Sequence, residues 1–339
     1  MRRVQTIVTR AGGVRAKASP ILPPPRVSEV LMPSLYIDEF VGISNRLEVL
    51  PLAFAIHDVH GHDIVLDWHE LDSFSVDGTR RGRVWPWTKI GAVRVRHCDE
   101  AIFASLAGRK VILRSLDGPD ALLKPRYLDA ARRVHLAPAL ADSVRATFAR
   151  HAGRPVAAVH LRQGDYRLVS PERYDIGTEW PAVPLWWYRS AMTAIRQVRP
   201  DTAFFLAGNG DPMLHAELVR DFDVFTLEVE SHYGYKKDDH SSRVNPVADL
   251  FALACCPVLL ATPVSGFSHW AANALGTPST CIVPMPGATP VDARMGRVDL
   301  YGERLPRWRA AGRTGSDTTP LSATLDGIDL SRGADCGWL

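Results

Sequence analysis

No apolar run in this chain approaches the roughly 20 residues that a membrane-spanning helix needs. No glycine-rich segment ends in Gly-Lys-Ser/Thr, so a Walker loop is absent, and no GxGxxG dinucleotide fingerprint occurs. Net charge is also small. Lys and Arg total 40 against 37 Asp and Glu, for a formal +3, and a nucleic-acid-binding face does not follow from that balance. Anionic small ligands stay open, because they need one local cation. Cysteine is scarce. Cys98, Cys255, Cys256, Cys281 and Cys336 show no CxxC spacing, and an odd, scattered set suits a reducing compartment better than a disulfide framework. The start, MRRVQTIVTRAGG, has early arginines but lacks the apolar core of a secretion signal. The expected location is therefore cytoplasmic, with no membrane span. Internal repeats and low-complexity tracts are missing as well.

What remains is a soluble chain of 339 residues, 46% apolar and 23% charged, long enough for two cores. Residues 1–35, with ILPPPRVSE, read as a flexible arm. NRLEVLPLAFAIHDVHG reads as a helix kinked at Pro51 or starting near it, and DIVLDW as a short buried strand. Asp72 to Pro86 reads as loop and hairpin. AVRVRH alternates like a strand, whereas AIFASLAG and KVILRS are a helix or strand pair that pattern does not separate. LDAARRVHLAPALADSVRATFARHAG is helical in composition, interrupted near Pro138. Gly153 and Pro155 then mark a boundary between domains over 36–153 and 154–312.

Beyond that boundary strands and helices alternate. VAAVHL, TAFFLAG, DVFTLE, VLLAT and STCIVP are strand-length apolar runs. WWYRSAMTAIRQVRP, DPMLHAELVRDF, PVADLFALACC and GFSHWAANALG are helices between them. Continuous apolar strands separated by helices predict a parallel sheet covered on both faces. Residues 313–339 read as a tail.

Such a sheet binds ligands at the carboxyl ends of its strands. VAAVHLRQGDY ends there by releasing His160, Arg162 and Asp165. Arg162 stays charged and can grip phosphate oxygens bidentately. An Arg–Asp surface pair at a turn gives the same pattern and is worth little, but the strand-end position favours a ligand. LLATPVSGFSHW offers small residues and hydroxyls at Ser265, Gly266 and Ser268 before a helix, a place where backbone N–H groups meet anions. An ordinary N-cap serine reads the same way. In LAGNGDP, Asn209 and Asp211 turn the chain and cap the helix opened by Pro212. HDVHGHD resembles a metal cluster, but Gly61 ends the helix that would align His57 and His60, so zinc is disfavoured. The DFD at Asp221–Asp223 lies at the wrong end of its strand for ligand chemistry. KKDDHSSR is a polar loop or a flap, and Trp186, Trp187 and Tyr188 line an acceptor groove or fill the core.

HLRQGDY resembles the HxRxGD-type motif of GDP-fucose-dependent fucosyltransferases, the group spanning α-1,2-, α-1,6- and protein O-fucosyltransferases. FVGISNRLEVLPLAFAIHDVHGHDIVLDW is similar to their N-terminal GGxGNQ/R segment. DLFALACCPVLLATPVSGFSHWAANALG is similar to their late segment, in which an S-x-F-S-W-W-like stretch opens a helix. The three occur in the same order between Val41 and about Pro284. Gln163 stands where many members carry a second arginine, Val41-Gly42 replaces the glycine pair, and His269 precedes Trp270.

The resemblance implies an α/β GT-B architecture, two Rossmann-like domains facing across a cleft, with the nucleotide sugar on the later domain, 154–312, and the earlier one, 36–153, on the acceptor side. It implies an inverting, metal-independent transferase with GDP-fucose as donor substrate and no cofactor. It places Arg162 on the β-phosphate and His160 in the same pocket. Ser265, Gly266, Phe267 and Ser268 surround diphosphate and ribose, Asp249 meets the guanine edge, and Asn45 and Arg46 lie near sugar or phosphate. Asp165 is the nearest carboxylate for a general base, with Glu172 and Asp175 following it. The acceptor is a hydroxyl on a glycan, a lipid-linked sugar or a small molecule. Two alternatives stand beside this: a GT-B enzyme using another nucleotide sugar, and a non-catalytic nucleotide- or glycan-binding relative.

Overall fold

The structure, a computed structural model, describes residues 33–163, 166–176, 180–209, 212–228, 246–263, 265–298, 318–321 and 325–339. Met32–Leu339 form one compact unit. Two mainly parallel sheets organise it, the second of which the alternating pattern predicts. Strands β1 (Ser34–Asp38), β2 (Asp63–Asp67), β4 (Thr79–Arg81), β5 (Val93–Val95) and β6 (Val111–Leu113) form the first sheet, in the order β4-β2-β1-β6-β5. All of its pairings are parallel. β3 (Phe74–Val76) pairs antiparallel with β7 (Val134–Leu136). The second sheet contains β8 (Val156–Arg162), β9 (Ala203–Asn209), β10 (Val224–Phe225), β11 (Val258–Leu260), β12 (Thr280–Pro284), β13 (Met295–Val298) and β14 (Thr318–Pro320). Its order is β10-β9-β8-β11-β12-β13-β14. It is parallel up to β12, and β13 and β14 are added antiparallel.

Local chemistry explains the elements. Pro51 sits in the first turn of the helix Leu50–His60, where its missing N–H costs nothing. Gly61, left-handed at φ 70°, closes that helix with His57 and His60 in its last turn. β8 is buried along Val156–Leu161 and serves both faces. Ala158 joins one apolar cluster, while Ala157, Val159 and Leu161 join the other. The helix Pro246–Ala254 is buried from Val247 onward. A helix apolar all round belongs inside a core, and this one lies in the cluster that runs from Leu35, Phe54 and Leu66 to Phe251, Trp270 and Val283. That single core joins the two sheets. The opposite face of the second sheet buries Trp187, Ile195, Phe204 and Ile282.

Three expectations are corrected. The segment read as a hairpin holds strands that pair elsewhere: β3 reaches β7, and β4 runs parallel to β2. The long helical stretch after Tyr127 is split by a strand, giving the helices Tyr127–Arg132 and Pro138–Ala149 around β7. The expected tail is part of the fold. Its β14 extends the second sheet, Arg332 O accepts from Val156 N at 3.1 Å, and Asp335 N donates to Cys255 O at 2.8 Å. Trp338 stacks on Phe251 with ring centroids 5.7 Å apart.

The expected flexible arm lies almost wholly outside the described residues. So do Gly164, Asp165, Asp211 and the KKDDHSSR loop.

Gly276 reports on this C-terminal packing. It is left-handed at φ 57°, and a Cβ there would lie 2.4 to 2.7 Å from three atoms of the Trp338 indole. Gly276→Ala is expected to lower stability by about 1–3 kcal/mol, read as a shift of the urea midpoint. An unmoved midpoint would show that Trp338 does not pack there.

Candidate functional site

β8 and β11 lie side by side in parallel register, with Val159 opposite Leu260. Their carboxyl ends therefore deliver His160, Arg162 and Thr262 to one point on the edge where an open parallel sheet receives ligands. Thr262 Oγ1 donates to His160 O at 2.8 Å and accepts from Arg162 N at 3.2 Å. Tyr188 Oη, from the helix Leu185–Val198, donates to the same His160 carbonyl at 2.9 Å. The backbone that aims Arg162 is thus fixed from two sides by buried hydroxyls. The Arg162 guanidinium lies 5.4 Å from the centre of the Tyr166 ring.

The His160 ring is buried at 4% exposure. Its Nδ1 shares a hydrogen bond of 2.7 Å with Ser268 Oγ, and its ring stacks on Phe267 with centroids 5.1 Å apart. Burial, helped by the neighbouring Arg162 charge, lowers its pKa to about 3, so the ring is neutral in ordinary buffers. A neutral His160 holds the loop in place; the fixed positive charge is on Arg162. Ser265, Gly266, Phe267 and Ser268 gather here as the sequence predicts. Ser265 Oγ is buried without a hydrogen-bond partner among the described residues.

Gly266 meets the first half of the chain. A Cβ on it would lie 3.2 Å from Asn45 Oδ1 and 3.3 Å from Ser44 Oγ, so glycine permits the close approach of the helix Ile43–Leu47. Asn45 is therefore brought to the Ser265–Ser268 loop.

Arg46, expected with Asn45 near sugar or phosphate, is buried. Its side chain has 0% exposure and turns inward, where Nη2 donates to Glu70 Oε1 at 2.5 Å and the guanidinium lies 5.2 Å from the Trp68 ring centre. Its Nε and Nη1 are buried with no hydrogen-bond partner among the described residues.

Asp249, in the first turn of the helix Pro246–Ala254, is buried, and burial raises its carboxyl pKa to about 8. The carboxyl is thus protonated near neutrality.

No family model matches the sequence, and no curated protein matches it. Solved structures similar to it include the fucosyltransferase NodZ from Bradyrhizobium, 14% identical with a TM-score of 0.43, covering 74% of this chain and 95% of that one. NodZ α-1,6-fucosyltransferase soaked with GDP-fucose is 15% identical, with a TM-score of 0.47 and coverage of 79% and 99%. POFUT1 in complex with GDP-fucose is 10% identical, with a TM-score of 0.48 and coverage of 74% and 97%.

Other candidates resolve into structural roles. The histidines of HDVHGHD each face a backbone carbonyl: His57 meets His62 O, His60 meets Phe103 O and His62 meets Arg109 O. Among the described residues no group of three His, Cys, Asp or Glu side chains is arranged for a metal ion. Trp187 and Tyr188 are core residues, and Trp186 donates Nε1 to Pro171 O at 2.8 Å. Asp223 pairs with Arg154, and Asp221 with Arg189. Glu172 is exposed on its loop. No helix among the described residues is long and apolar enough to cross a membrane.

Sequence reasoning missed Tyr188 and Thr262 as braces. Thr262 carried a signal, since it is the first polar residue after VLLA and sits at a strand end. Tyr188 carried none beyond its helical position.

The buried neutral ring makes stability depend on pH. An unfolded histidine takes up a proton near its ordinary value of about 6.5, whereas folded His160 resists protonation down to about 3. Its contribution is complete above the unfolded value and is lost as pH falls toward 3, at up to about 1.4 kcal/mol per pH unit. Between pH 7 and 5 the wild type should lose more stability than His160→Gln. Parallel losses in urea titrations of the two proteins would show that the ring is not a buried neutral group.

Proposed function

We propose that this chain is an inverting, metal-independent glycosyltransferase that moves fucose from GDP-fucose to a hydroxyl of a glycan, a lipid-linked sugar or another small acceptor. The observation that carries this reading is Arg162 at the end of β8, its backbone N–H held by Thr262 Oγ1 of the adjoining strand end. Beside it a neutral, buried His160 is tied to Ser268. Segments from the three motifs of the fucosyltransferase resemblance touch in turn: Gly266 of the third packs against Asn45 of the first, and Ser268 of the third bonds His160 of the second.

In the proposed step the bond from the anomeric carbon to the β-phosphate oxygen breaks, and GDP leaves with the electron pair. The acceptor oxygen bonds to the opposite face of that carbon, and its proton passes to a base. Negative charge grows on the β-phosphate, and a preorganised cation stabilises it without reorganisation. Arg162 takes this role. Ser265 Oγ, buried without a partner among the described residues, supplies a donor for diphosphate or ribose, as do Gly266, Phe267 and Ser268 around it. Asn45 reaches the sugar side. Arg46, bound to Glu70, acts through its two unpartnered N–H groups or by holding its helix. Asp165 is the proposed base, with Glu172 and Asp175 behind it. Asp249 receives the guanine edge.

Calorimetric titration with GDP, UDP, dTDP and ADP, with and without EDTA, tests the reading. GDP should bind best with no effect of EDTA. Arg162→Ala should weaken GDP binding and cut fucosyl transfer by about 10²–10³, with an unchanged unfolding midpoint. Preference for UDP or dTDP would keep a nucleotide-sugar enzyme and discard fucose, and near-normal turnover of Arg162→Ala would remove the central role given to that residue. GDP binding without turnover on any acceptor would favour the non-catalytic reading.

Asp249 supplies a second test. Guanine presents two adjacent N–H donors, N1–H and N2–H, and pairing both with the two carboxyl oxygens favours the ionised carboxylate, since a protonated carboxyl turns one oxygen into a donor. The free protein holds it protonated up to about pH 8, so binding at lower pH must release a proton. GDP affinity should therefore rise from pH 6 to 8, and the binding heat should depend on the ionisation enthalpy of the buffer. Asp249→Asn should remove both effects. A heat independent of buffer in the wild type would take Asp249 away from the base.

A further inference from the structure

The segment between β4 and β5 exposes aromatic surface that neither apolar core uses. Trp85 is 41% exposed, Trp87 62% and Ile90 73%, and neither indole belongs to a core cluster. The two indoles stack on each other, with centroids 5.0 Å apart and planes 9° from parallel. The Arg83 guanidinium lies 4.5 Å from the centre of the Trp85 ring. Trp85 is therefore covered by Arg83 and Trp87, and the more exposed Trp87 offers the open indole surface.

This stack is built rather than incidental. Pro86–Lys89 form a tight helical turn. Thr88 N donates to Trp85 O at 2.9 Å, Trp85 N donates to Thr88 Oγ1 at 3.2 Å, and Ile90 N donates to Trp87 O at 3.1 Å. The turn is also tied to the first sheet. Val84 N donates to Asp67 Oδ2 at 2.7 Å, and Asp67 is the last residue of β2. Lys89 Nζ lies 3.7 Å from Asp38 Oδ2, and Asp38 ends β1. Arg114, just after β6, donates Nε to Asp38 Oδ1 at 2.8 Å. The stack thus stands at the carboxyl ends of parallel strands, the ligand edge of such a sheet.

We propose that Trp87 is the stacking platform of an acceptor subsite, taking a pyranose ring of a neutral oligosaccharide. A pyranose has one face of C–H groups and a rim of hydroxyls. The C–H face suits the negative face of an indole, and the Arg83 guanidinium against Trp85 and the Lys89 ammonium on the same turn place donors beside the stack for the rim. A rigid aromatic loses little conformational entropy on binding. The diphosphate-binding cation is on the second sheet, which leaves this edge of the first for the other substrate. The assignment to the acceptor rests on the glycosyl-transfer reading; binding of sugar by the stack does not.

The test titrates wild type, Trp87→Ala and Trp87→Phe with maltohexaose, cellohexaose and chitohexaose, followed by tryptophan fluorescence and by chemical shifts of the indole N–H groups. GDP affinity is measured on the same samples. At least one oligosaccharide should bind saturably. Trp87→Ala should weaken it about tenfold, Trp87→Phe should restore most of that loss, and GDP affinity should stay the same in all three proteins. The proposal is overturned if none of the three sugars binds, if Trp87→Ala binds as well as wild type, or if the loop instead drives Trp87-dependent dimerisation in sedimentation velocity. Trp87-dependent sugar binding in a protein that binds none of GDP, UDP, dTDP and ADP would keep the platform and remove the transferase reading.

Discussion

One buried carboxyl group ties the first half of the chain to the helical turn that follows β11. Glu48 Oε1 accepts from Tyr127 Oη at 2.5 Å and from Trp270 Nε1 at 2.7 Å. His269 Nε2 lies 2.9 Å from the same tyrosine oxygen, and Asn273 Nδ2 donates to His269 O at 3.3 Å. A buried polar group without a partner is costly, so these side chains are most stable when all of them meet. Glu48 follows the helix that carries Asn45, and Trp270 follows the loop that carries Ser265–Ser268. The network therefore fixes the distance between two candidate ligand-binding segments far from each other in sequence. The close approach of Gly266 to Ser44 and Asn45 is its local consequence.

The site divides electrostatic roles by depth. Beneath the surface the groups are neutral or internally compensated: His160 unprotonated, Thr262 and Tyr188 satisfied by a carbonyl, Arg46 paired with Glu70. At the strand end stands Arg162, held by its backbone. In the proposed transfer, a cation already standing at the strand end would need little reorganisation as charge develops on the leaving group.

Much of the fold was legible because its signals are local. The apolar run of VAAVHL, the proline in the first turn at Pro51, and Gly61 after two histidines each specify an element through its own period or cap. Placement of candidate residues was legible where it follows from the fold, since parallel neighbours bring Arg162 and Thr262 to the same edge of the sheet. What was not legible was decided by distant partners. Arg46 points inward because Glu70 and Trp68 await it, and His60 and His62 are engaged by the carbonyls of Phe103 and Arg109. The last segment packs because Phe251 and Cys255 receive it. Trp85 sat within a stretch read as loop and hairpin, Trp87 just beyond it, and the turn that carries them is tied to Asp67 and Asp38 at the ends of other strands. Side-chain periodicity carries no information about partners 79, 142 or 222 residues away, the separations spanned by the Glu48 network.

The same network accounts for an irregularity in the chain. After Gly266–His269 the helix widens, and Leu275 N donates to Trp270 O at 3.0 Å, one residue farther than in an α-helix. Adjacent residues on a regular helix diverge by about 100°, yet His269 and Trp270 both engage the Tyr127–Glu48 pair. The Trp270 anchor lies at the start of the widened turn, and Ser268, bonded to His160, lies just before it. The change in helical pitch therefore falls between the loop facing the proposed donor and the strand β12 that follows. An insertion-like bulge at this place lets Ser265–Ser268 keep their positions against His160 and Asn45 while the rest of the segment rejoins the sheet in register.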